Sequence, residues 1–355
     1  MRLEARNSRN SSAVYKAADY WKFGTDFVST HLFKRPRLSV LMLYATTRCQ
    51  SRCKTCNIWQ KEHVDLPLDV IKRTLQCGVV DRRTRIGLEG GEVLLHPEFD
   101  QILDFLATGG YNFELLTNGL MPRRLEEAVR TFRVPRVYLS LDGGPETYNR
   151  VRGVDSYDQV LESIRRVKEL APVSIMYLIN PWNGQEDLEH VAGLCREHDL
   201  DLRVGIYNNI QFFETTRTMD AIEYSEKIRV DVSDFSENQE FLDLYDQWQA
   251  GKVILPCLSI RQELVVYPNG AVPLCQNKHI VLGNVHRQSL DEILADPVTR
   301  TLQQENLGCN GCWINFHRKF DLAVCRWLRY LPGSLTRPFV GEVRWPSGGA
   351  EASRK

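Results

Sequence analysis

The chain has 355 residues, 43% apolar and 25% charged, a composition typical of a globular protein with one large and one smaller domain. Its 45 basic residues are balanced by 45 acidic ones, which argues against a general nucleic-acid-binding protein. The start of the chain lacks the apolar core of a signal peptide and the longest apolar runs are of strand length, so we expect a cytoplasmic protein without a membrane span.

Apolar strands alternate with helices over the first two thirds of the chain. The strands are predicted at 38–45, 84–88, 111–116, 136–141, 173–179 and 202–207. The helices between them are predicted at 67–78, 98–107, 122–132, 156–170 and 186–198. This alternation predicts a parallel sheet with right-handed crossovers. Because a full barrel needs eight strands, we predict an α/β fold built on a partial (β/α)6 barrel.

Polar or metal-binding residues follow five of the predicted strands. The first strand runs into three cysteines, and the next four end in LEGGE, LTNG, LSLDGG and LINPWN. Turn-forming Gly and Asn explain any one of these sequences, but they do not explain all five at one rim. In such folds the chemistry gathers at the carboxyl ends of the strands, so we expect the active site there.

Cys49, Cys53 and Cys56 lie in a single loop. In a reducing compartment clustered thiols indicate metal ligands rather than disulfides, and thiolates select iron–sulfur clusters or zinc. A structural zinc site needs a fourth ligand, for which His63 is a candidate, although we interpret it as a surface histidine. A [4Fe–4S] cluster held by three cysteines instead leaves one iron open to an exogenous ligand.

This Cys-x3-Cys-x2-Cys loop after the first barrel strand resembles the hallmark of the radical S-adenosylmethionine (SAM) superfamily, over roughly residues 38–210. The resemblance implies that the open iron binds SAM and that the reduced cluster cleaves it to a 5′-deoxyadenosyl radical, which abstracts a substrate hydrogen. It also implies an external reductant such as flavodoxin or ferredoxin.

Gly90, Gly91 and Glu92 look like the Gly-Gly-Glu motif of that superfamily. The resemblance implies that this segment contacts the SAM ammonium group, since glycines allow close backbone approach and a carboxylate suits a cation. The chain departs from the usual pattern at two positions. Thr55 stands where the superfamily usually has an aromatic residue before the third cysteine, and Val93 stands where it usually has a proline after the Gly-Gly-Glu motif.

The segment SLDGGPETYNRVRG resembles the fourth-strand region of the same superfamily. The resemblance implies that Ser140 contacts the SAM ribose and that Arg152 pairs with the SAM carboxylate, with Arg150 as a competitor. Asn118, at the end of the third strand, is assigned with them to the cofactor site.

A second cysteine group comprises Cys257, Cys275, Cys309 and Cys312. Taken alone, a separated pair followed by Cys-x2-Cys also fits a zinc ribbon. After a radical SAM barrel it resembles the auxiliary-cluster extension of the SPASM/Twitch type. Arg318 interrupts the longer SPASM pattern, so the resemblance implies the short Twitch version with one fully ligated [4Fe–4S] cluster.

The domain limits follow from these patterns. We predict a partly helical N-terminal extension at 1–36, the barrel at 37–230, a helical connector at 231–255, the Twitch-like domain at 256–326 and a partly disordered tail at 327–355. The sequence VVYPNGAVP predicts a hairpin with Gly270 at a turn position of positive φ. An aromatic-rich helix is predicted at 14–33, packed on the barrel.

The resemblance, closest to the aminocyclitol dehydrogenase branch, implies a small polar substrate such as a sugar or an aminocyclitol, which is oxidised or epimerised. Cys325 lies outside the four-ligand set and is a candidate hydrogen donor, a further ligand or a core thiol, whereas Cys77 and Cys195 are expected in the core. A peptide-modifying radical SAM/SPASM maturase and a non-catalytic zinc-binding interaction module remain as alternatives.

Overall fold

The computed structural model describes most of the chain, and the statements below concern the residues it describes. These are residues 21, 24–33, 35–208, 210–213, 232, 235, 238–328, 330, 332, 334, 337 and 340–345. Nine of the twenty residues of the predicted aromatic helix at 14–33, namely 14–20, 22 and 23, and the tail beyond 345 lie outside the described residues. The described part of that segment contains a helix at Val28–Leu32.

Seven parallel strands form one sheet, and the fold prediction of a partial α/β barrel is confirmed. The strands are β1 (Val40–Tyr44), β2 (Arg85–Glu89), β3 (Asn112–Thr117), β4 (Val137–Ser140), β5 (Val173–Ile179), β6 (Asp201–Ile206) and β7 (Glu263–Val266). Their order is β6-β5-β4-β3-β2-β1-β7, so each of the first six strands pairs with its neighbour in sequence. The carboxyl ends of all seven strands therefore meet at one rim.

The seventh strand corrects the sequence analysis. The VVYPNGAVP segment was expected to fold back on itself, but β7 pairs in parallel with β1, from Val40 opposite Glu263 onwards. The turn itself is present, because the Tyr267 N–H donates to the Ala271 carbonyl at 2.9 Å and Gly270 has φ of 78°. All four residues of β7 are buried, so the strand needs a neighbour on the barrel sheet. The predicted boundary at 256 therefore falls before the last strand of the barrel sheet.

Helices connect the strands on the outer face, at nearly the predicted positions. They span Leu68–Leu75, Phe99–Thr108, Pro122–Phe132, Tyr157–Val167 and Gln185–Glu197. One further helix, Pro145–Arg152, was not predicted; it begins with proline at its first position and ends at Gly153, whose φ is 68°. The apolar faces of these helices and the outward side of the sheet form one continuous core.

The C-terminal region is a small hairpin surrounded by short helices. Strand β8 (Ala271–Pro273) pairs antiparallel with β9 (Val281–Asn284). The connector contains the expected helices, at Asn238–Asp243 and Tyr245–Gln249, and three more follow at Leu290–Ala295, Pro297–Asn306 and Asn315–Leu328. Among the described residues there is no helix with the length and apolar character needed to cross a membrane.

Candidate active site

A cavity of about 400 Å³ opens at the carboxyl ends of the barrel strands. The three cysteines of the first loop line it. Residues of the C-terminal region, among them Gln276 and Phe316, also contribute to its lining. The cavity is thus bounded by segments next to both cysteine groups.

The cysteine loop rests on the backbone of Gly90 and Gly91. The Gly91 N–H donates to the Thr46 carbonyl at 2.7 Å, and the Glu92 N–H donates to the Arg48 carbonyl at 2.6 Å. A Cβ atom on Gly90 would lie 2.6 Å from the Thr46 carbonyl oxygen, and one on Gly91 would collide with the loop backbone. Only glycine permits this approach, which forms the cradle that the Gly-Gly-Glu resemblance requires.

The same loop is held from a second side by the end of the helix Pro145–Arg152. The Arg52 N–H donates to the Arg152 carbonyl at 2.9 Å, and the Lys54 N–H donates to the Val151 carbonyl at 2.8 Å. The loop is therefore attached to two barrel elements before any cofactor binds.

Burial raises the pKa of all three thiols in this loop. Burial and the neighbouring Cys53 together raise the pKa of Cys49 to about 12. Without a cation the three thiols are neutral, and bound iron would convert them to thiolates. Three thiols that interact electrostatically beside a glycine cradle fit a cluster with one open iron.

Glu92 is placed differently from the expectation that its carboxylate contacts SAM. The side chain is 1% exposed and does not line the cavity. Its carboxylate accepts hydrogen bonds from the Leu94 N–H at 3.2 Å, the Thr117 hydroxyl at 2.8 Å and the Asn118 N–H at 2.8 Å. Glu92 thus joins the ends of β2 and β3, and the motif presents backbone rather than carboxylate to the cavity.

Asn118 and Ser140 both line the cavity. The Asn118 amide donates to the Ser51 hydroxyl at 3.2 Å and lies 4.0 Å from the Cys49 sulfur. Ser140 is the last residue of β4. Both assigned residues therefore face the space in front of the cysteine loop.

Arg152 lines the cavity, whereas Arg150 points outwards and donates to the Trp182 carbonyl at 2.7 Å. The Arg152 guanidinium pairs with Asp142 at 2.6 Å and approaches the Cys53 sulfur at 3.8 Å. Burial opposes its charge, but Asp142 and Cys53 keep the pKa of Arg152 raised. Its buried Nε has no hydrogen-bond partner among the described residues, which leaves one donor that fits an anionic ligand group.

The four later cysteines come together in the C-terminal region. Cys275 lies close enough to Cys309 and Cys312 for their charges to interact, and Cys257 interacts in the same way with Cys312. Burial raises the pKa of Cys257, Cys275 and Cys312. Cys257 and Cys312 are buried, and Cys275 and Cys309 are half-buried. These four thiols approach one another from three segments, as a fully ligated cluster would require.

The remaining cysteines lie away from the cavity. Cys325 is 0% exposed within the main apolar core, and this placement favours a core thiol over the hydrogen donor considered from the sequence. Cys195 is also fully buried, and Cys77 packs against the same core, as expected. His63 is an exposed residue, in agreement with its interpretation as a surface histidine.

Glu89 is a cavity residue that the sequence analysis missed. It ends β2, and burial raises its pKa to about 7 against the effect of a hydrogen bond from Tyr44. The Gln276 amide donates to the same Tyr44 oxygen at 2.9 Å. These three side chains connect the cavity to the residue that follows Cys275. The alternation of Arg85, Gly87 and Glu89 along one strand was the available signal, since alternate residues face the barrel interior.

Each arginine of the cavity is paired with a carboxylate. The pairs are Arg85 with Glu114 at 3.7 Å, Arg152 with Asp142 at 2.6 Å and Arg203 with Asp201 at 3.2 Å. Two further carboxylates line the cavity, those of Glu89 and Glu263, against one further cation, Lys319. One oxygen of Glu263 is buried without a hydrogen-bond partner among the described residues. The cavity is therefore not a basic site.

Family models match both parts of the chain. The model of the radical SAM superfamily matches residues 43–195, and the model of the SPASM iron–sulfur cluster-binding domain matches residues 257–313. The chain therefore contains a radical SAM domain followed by a SPASM domain. Its two domains imply SAM and [4Fe–4S] clusters as cofactors, together with a substrate and a reductant. The radical SAM match supports an enzyme, not the non-catalytic zinc module.

Similar curated proteins are GTP 3′,8-cyclases. That of Alkaliphilus metalliredigens is 24% identical over 176 residues, which cover 47% of this chain and 55% of the relative. A probable GTP 3′,8-cyclase of Saccharolobus solfataricus is 27% identical over 210 residues, 56% of this chain and 68% of the relative. The chain thus spans only about half the length of the first of these relatives.

Solved structures share the fold. Streptococcus suis SuiB bound to the precursor peptide SuiA has a TM-score of 0.58 at 14% identity, over 89% of this chain and 80% of SuiB. The protein anSMEcpe with bound AdoMet has a TM-score of 0.54 at 16% identity, over 77% of this chain and 81% of that one. At these identities the likeness concerns the radical SAM fold alone.

Proposed function

We propose that the protein is a radical SAM oxidoreductase that removes a hydrogen atom, and then an electron and a proton, from a polar substrate bound in the barrel cavity. The observation that carries the proposal is that Cys49, Cys53 and Cys56 line the same cavity as Gln276, the residue next to Cys275. A substrate between the two cysteine groups would be within reach of both.

Each of the two cysteine groups is assigned its own cluster. When bound, SAM and the first cluster supply a 5′-deoxyadenosyl radical that abstracts hydrogen, and the second cluster supplies an electron acceptor. We assign the first cluster to the three-cysteine loop and SAM to the backbone of Gly90 and Gly91 together with Asn118, Ser140 and Arg152. We assign the auxiliary cluster to Cys257, Cys275, Cys309 and Cys312.

The charge balance of the cavity favours a neutral or cationic substrate. A triphosphate such as GTP would need several unpaired cations, and the cavity arginines are all paired with carboxylates. Glu89 adds an acceptor for a hydroxyl or ammonium group, held in place by Tyr44. The comparisons lend no particular support to a sugar or an aminocyclitol, so the proposal specifies charge and polarity rather than one compound.

A peptide side chain is a second candidate substrate. The neighbour that covers most of this chain among those described, SuiB, was solved with a precursor peptide. The cavity is only about 400 Å³ and must also hold the cofactor, which leaves space for a side chain rather than a folded peptide. A small molecule and a peptide would meet the same residues at the reacting carbon.

The test uses deuterium transfer. The enzyme is reconstituted anaerobically with iron and sulfide, which should give about eight irons per chain, and is reduced with flavodoxin or ferredoxin in the presence of SAM. Fully deuterated small-molecule and peptide fractions, taken from the source organism grown on deuterated medium, are supplied separately. Deuterium in the 5′-deoxyadenosine identifies the fraction that contains the substrate.

The product mass then separates the reaction types. Oxidation gives a product two hydrogens lighter than the substrate, whereas epimerisation leaves the mass unchanged and introduces a solvent hydrogen. A Glu89→Gln variant that still releases 5′-deoxyadenosine should show a raised substrate KM. Stoichiometric zinc without SAM cleavage would overturn the proposal as a whole.

A further inference from the structure

Arg318 lies in the first turn of the helix Asn315–Leu328 and is fully buried. A guanidinium group has five N–H donors. Its five hydrogen bonds go to the carbonyls of Cys312 at 2.9 Å, Leu255 at 3.0 Å and Cys309 at 3.2 Å, to the Asn310 side chain at 3.2 Å and to Asp321 at 3.1 Å. The donor capacity of the side chain is therefore used completely.

Asp321 extends this arrangement to another cysteine segment. One carboxylate oxygen faces Arg318, and the other accepts the Leu258 N–H at 2.8 Å and the Ser259 N–H at 3.0 Å. These two amides directly follow Cys257 in the sequence. The buried pair thus joins the segment that carries Cys257 to the loop that carries Cys309 and Cys312.

The two charges of the pair act on different cysteines, since Arg318 has the larger electrostatic effect on Cys312 and Asp321 has the larger one on Cys257. The guanidinium binds the carbonyls of two cysteines, whereas the carboxylate binds amides outside the ligand set. A buried ion pair is costly to desolvate and is often no more stabilising than apolar residues of the same size. Its stability alone is therefore a weak explanation for this pair, and its position beside the thiols suggests a role in the cluster site.

We propose that Arg318 is a positioning residue of the auxiliary cluster, which fixes the Cys257 and Cys309–Cys312 segments and raises the reduction potential of the cluster. The inference rests on the proposed function, since it takes the four cysteines as the ligands. A fixed cation close to a cluster stabilises the reduced form, which carries one more negative charge. Such a cluster accepts an electron from a substrate more readily.

The test isolates the auxiliary cluster in a full-length chain in which Cys49, Cys53 and Cys56 are replaced by Ala. Redox titration monitored by EPR gives the midpoint potential, and iron content gives the occupancy. In this background Arg318→Met should lower the potential by the equivalent of a tenfold or larger shift in the one-electron equilibrium, about 59 mV. The matched control is Arg326→Met on the same helix, whose partner is Glu240 and which should leave the potential unchanged.

Two further variants keep the inference testable if Arg318→Met fails to hold iron. Arg318→Lys keeps the positive charge but loses the planar guanidinium group with its five donors. It should therefore retain the reduction potential of the auxiliary cluster while lowering iron occupancy. Asp321→Asn removes the opposing charge and should raise the potential, the opposite of Arg318→Met.

A purely structural role predicts no such opposite shifts. Unchanged potentials in iron-loaded Arg318→Met or Asp321→Asn would overturn the inference. An iron-free background chain with native Arg318 would instead count against the ligand assignment itself.

Discussion

The substitution Gly91→Ala tests the support of the cysteine loop. The added Cβ would lie 2.8 Å from the Thr47 carbonyl oxygen and closer still to that of Arg48. Both neighbours are backbone atoms, so the contact cannot be relieved by rotation of a side chain. The loop must therefore move away from the end of β2, and the hydrogen bonds from Gly91 to Thr46 and from Glu92 to Arg48 are lost or lengthened.

The size of the effect follows from these contacts. Two lost hydrogen bonds cost about 1–3 kcal/mol together, and overpacking adds about 1–3 kcal/mol. The sum, on the order of 2–6 kcal/mol, is less than or comparable to the stability of a typical domain. We therefore expect the loop to shift while the barrel stays folded. The first cluster is then lost and the auxiliary cluster is retained, so iron per chain falls by about half.

The assay is iron content after anaerobic reconstitution, together with SAM binding and thermal unfolding. Gly193→Ala is the matched control, because its Cβ would meet nothing within 4 Å and it lies on an exposed helix face. That variant should keep all its iron and gain up to about 1 kcal/mol of stability. Full iron content and unchanged SAM affinity in Gly91→Ala would refute the idea that the loop depends on this contact.

Three further predictions concern other residues of the site. Cys53→Ala and Cys275→Ala should each remove about half of the iron. Cys53→Ala should abolish SAM cleavage and Cys275→Ala should spare it, whereas total iron loss in either variant would show that the two cluster sites depend on each other. Arg152→Lys keeps a charge near the cavity but loses Nε, and should weaken SAM binding by about 1.5–3 kcal/mol, measured by calorimetry, whereas Arg150→Lys should not. Cys325→Ala should cost on the order of 1 kcal/mol in denaturant unfolding and leave product formation intact; loss of product with continued SAM cleavage would restore the hydrogen-donor role.

The rim of the barrel was predictable from the sequence because each strand and helix shows a local pattern of apolar residues. Alternating strands and helices force a parallel sheet, and the ends of parallel strands then meet regardless of how each side chain is oriented. Asn118, Ser140 and Arg152 accordingly line one cavity with the three cysteines. The alternation of strands and helices placed the strand ends at one rim, and the resemblance to the radical SAM superfamily then selected these residues among the loops there.

Side-chain direction and long-range pairing were not predictable in the same way. The motif around Glu92 gives no sign that its carboxylate binds the backbone at the end of β3, because that contact depends on the register of two strands. The pairing of β7 with β1 could not be predicted from the sequence either, since a short apolar strand is compatible with both a hairpin and the edge of a sheet. Arg318 is a charged residue that composition places at the surface, and only the assembled fold provides its five acceptors.

The pairing of β7 with β1 also has a consequence for the order in which the chain folds. During synthesis β1 emerges early, but its second neighbour follows only after the rest of the barrel has left the ribosome. Until then one edge of β1 has unpaired backbone groups and can pair with a strand of another chain. A fragment that ends before Glu263 would keep this edge permanently, and we expect it to aggregate even though it contains the entire SAM-binding loop. We therefore expect a fragment of the barrel to need β7 in order to stay monomeric, because only the late strand pairs the free edge of the early one.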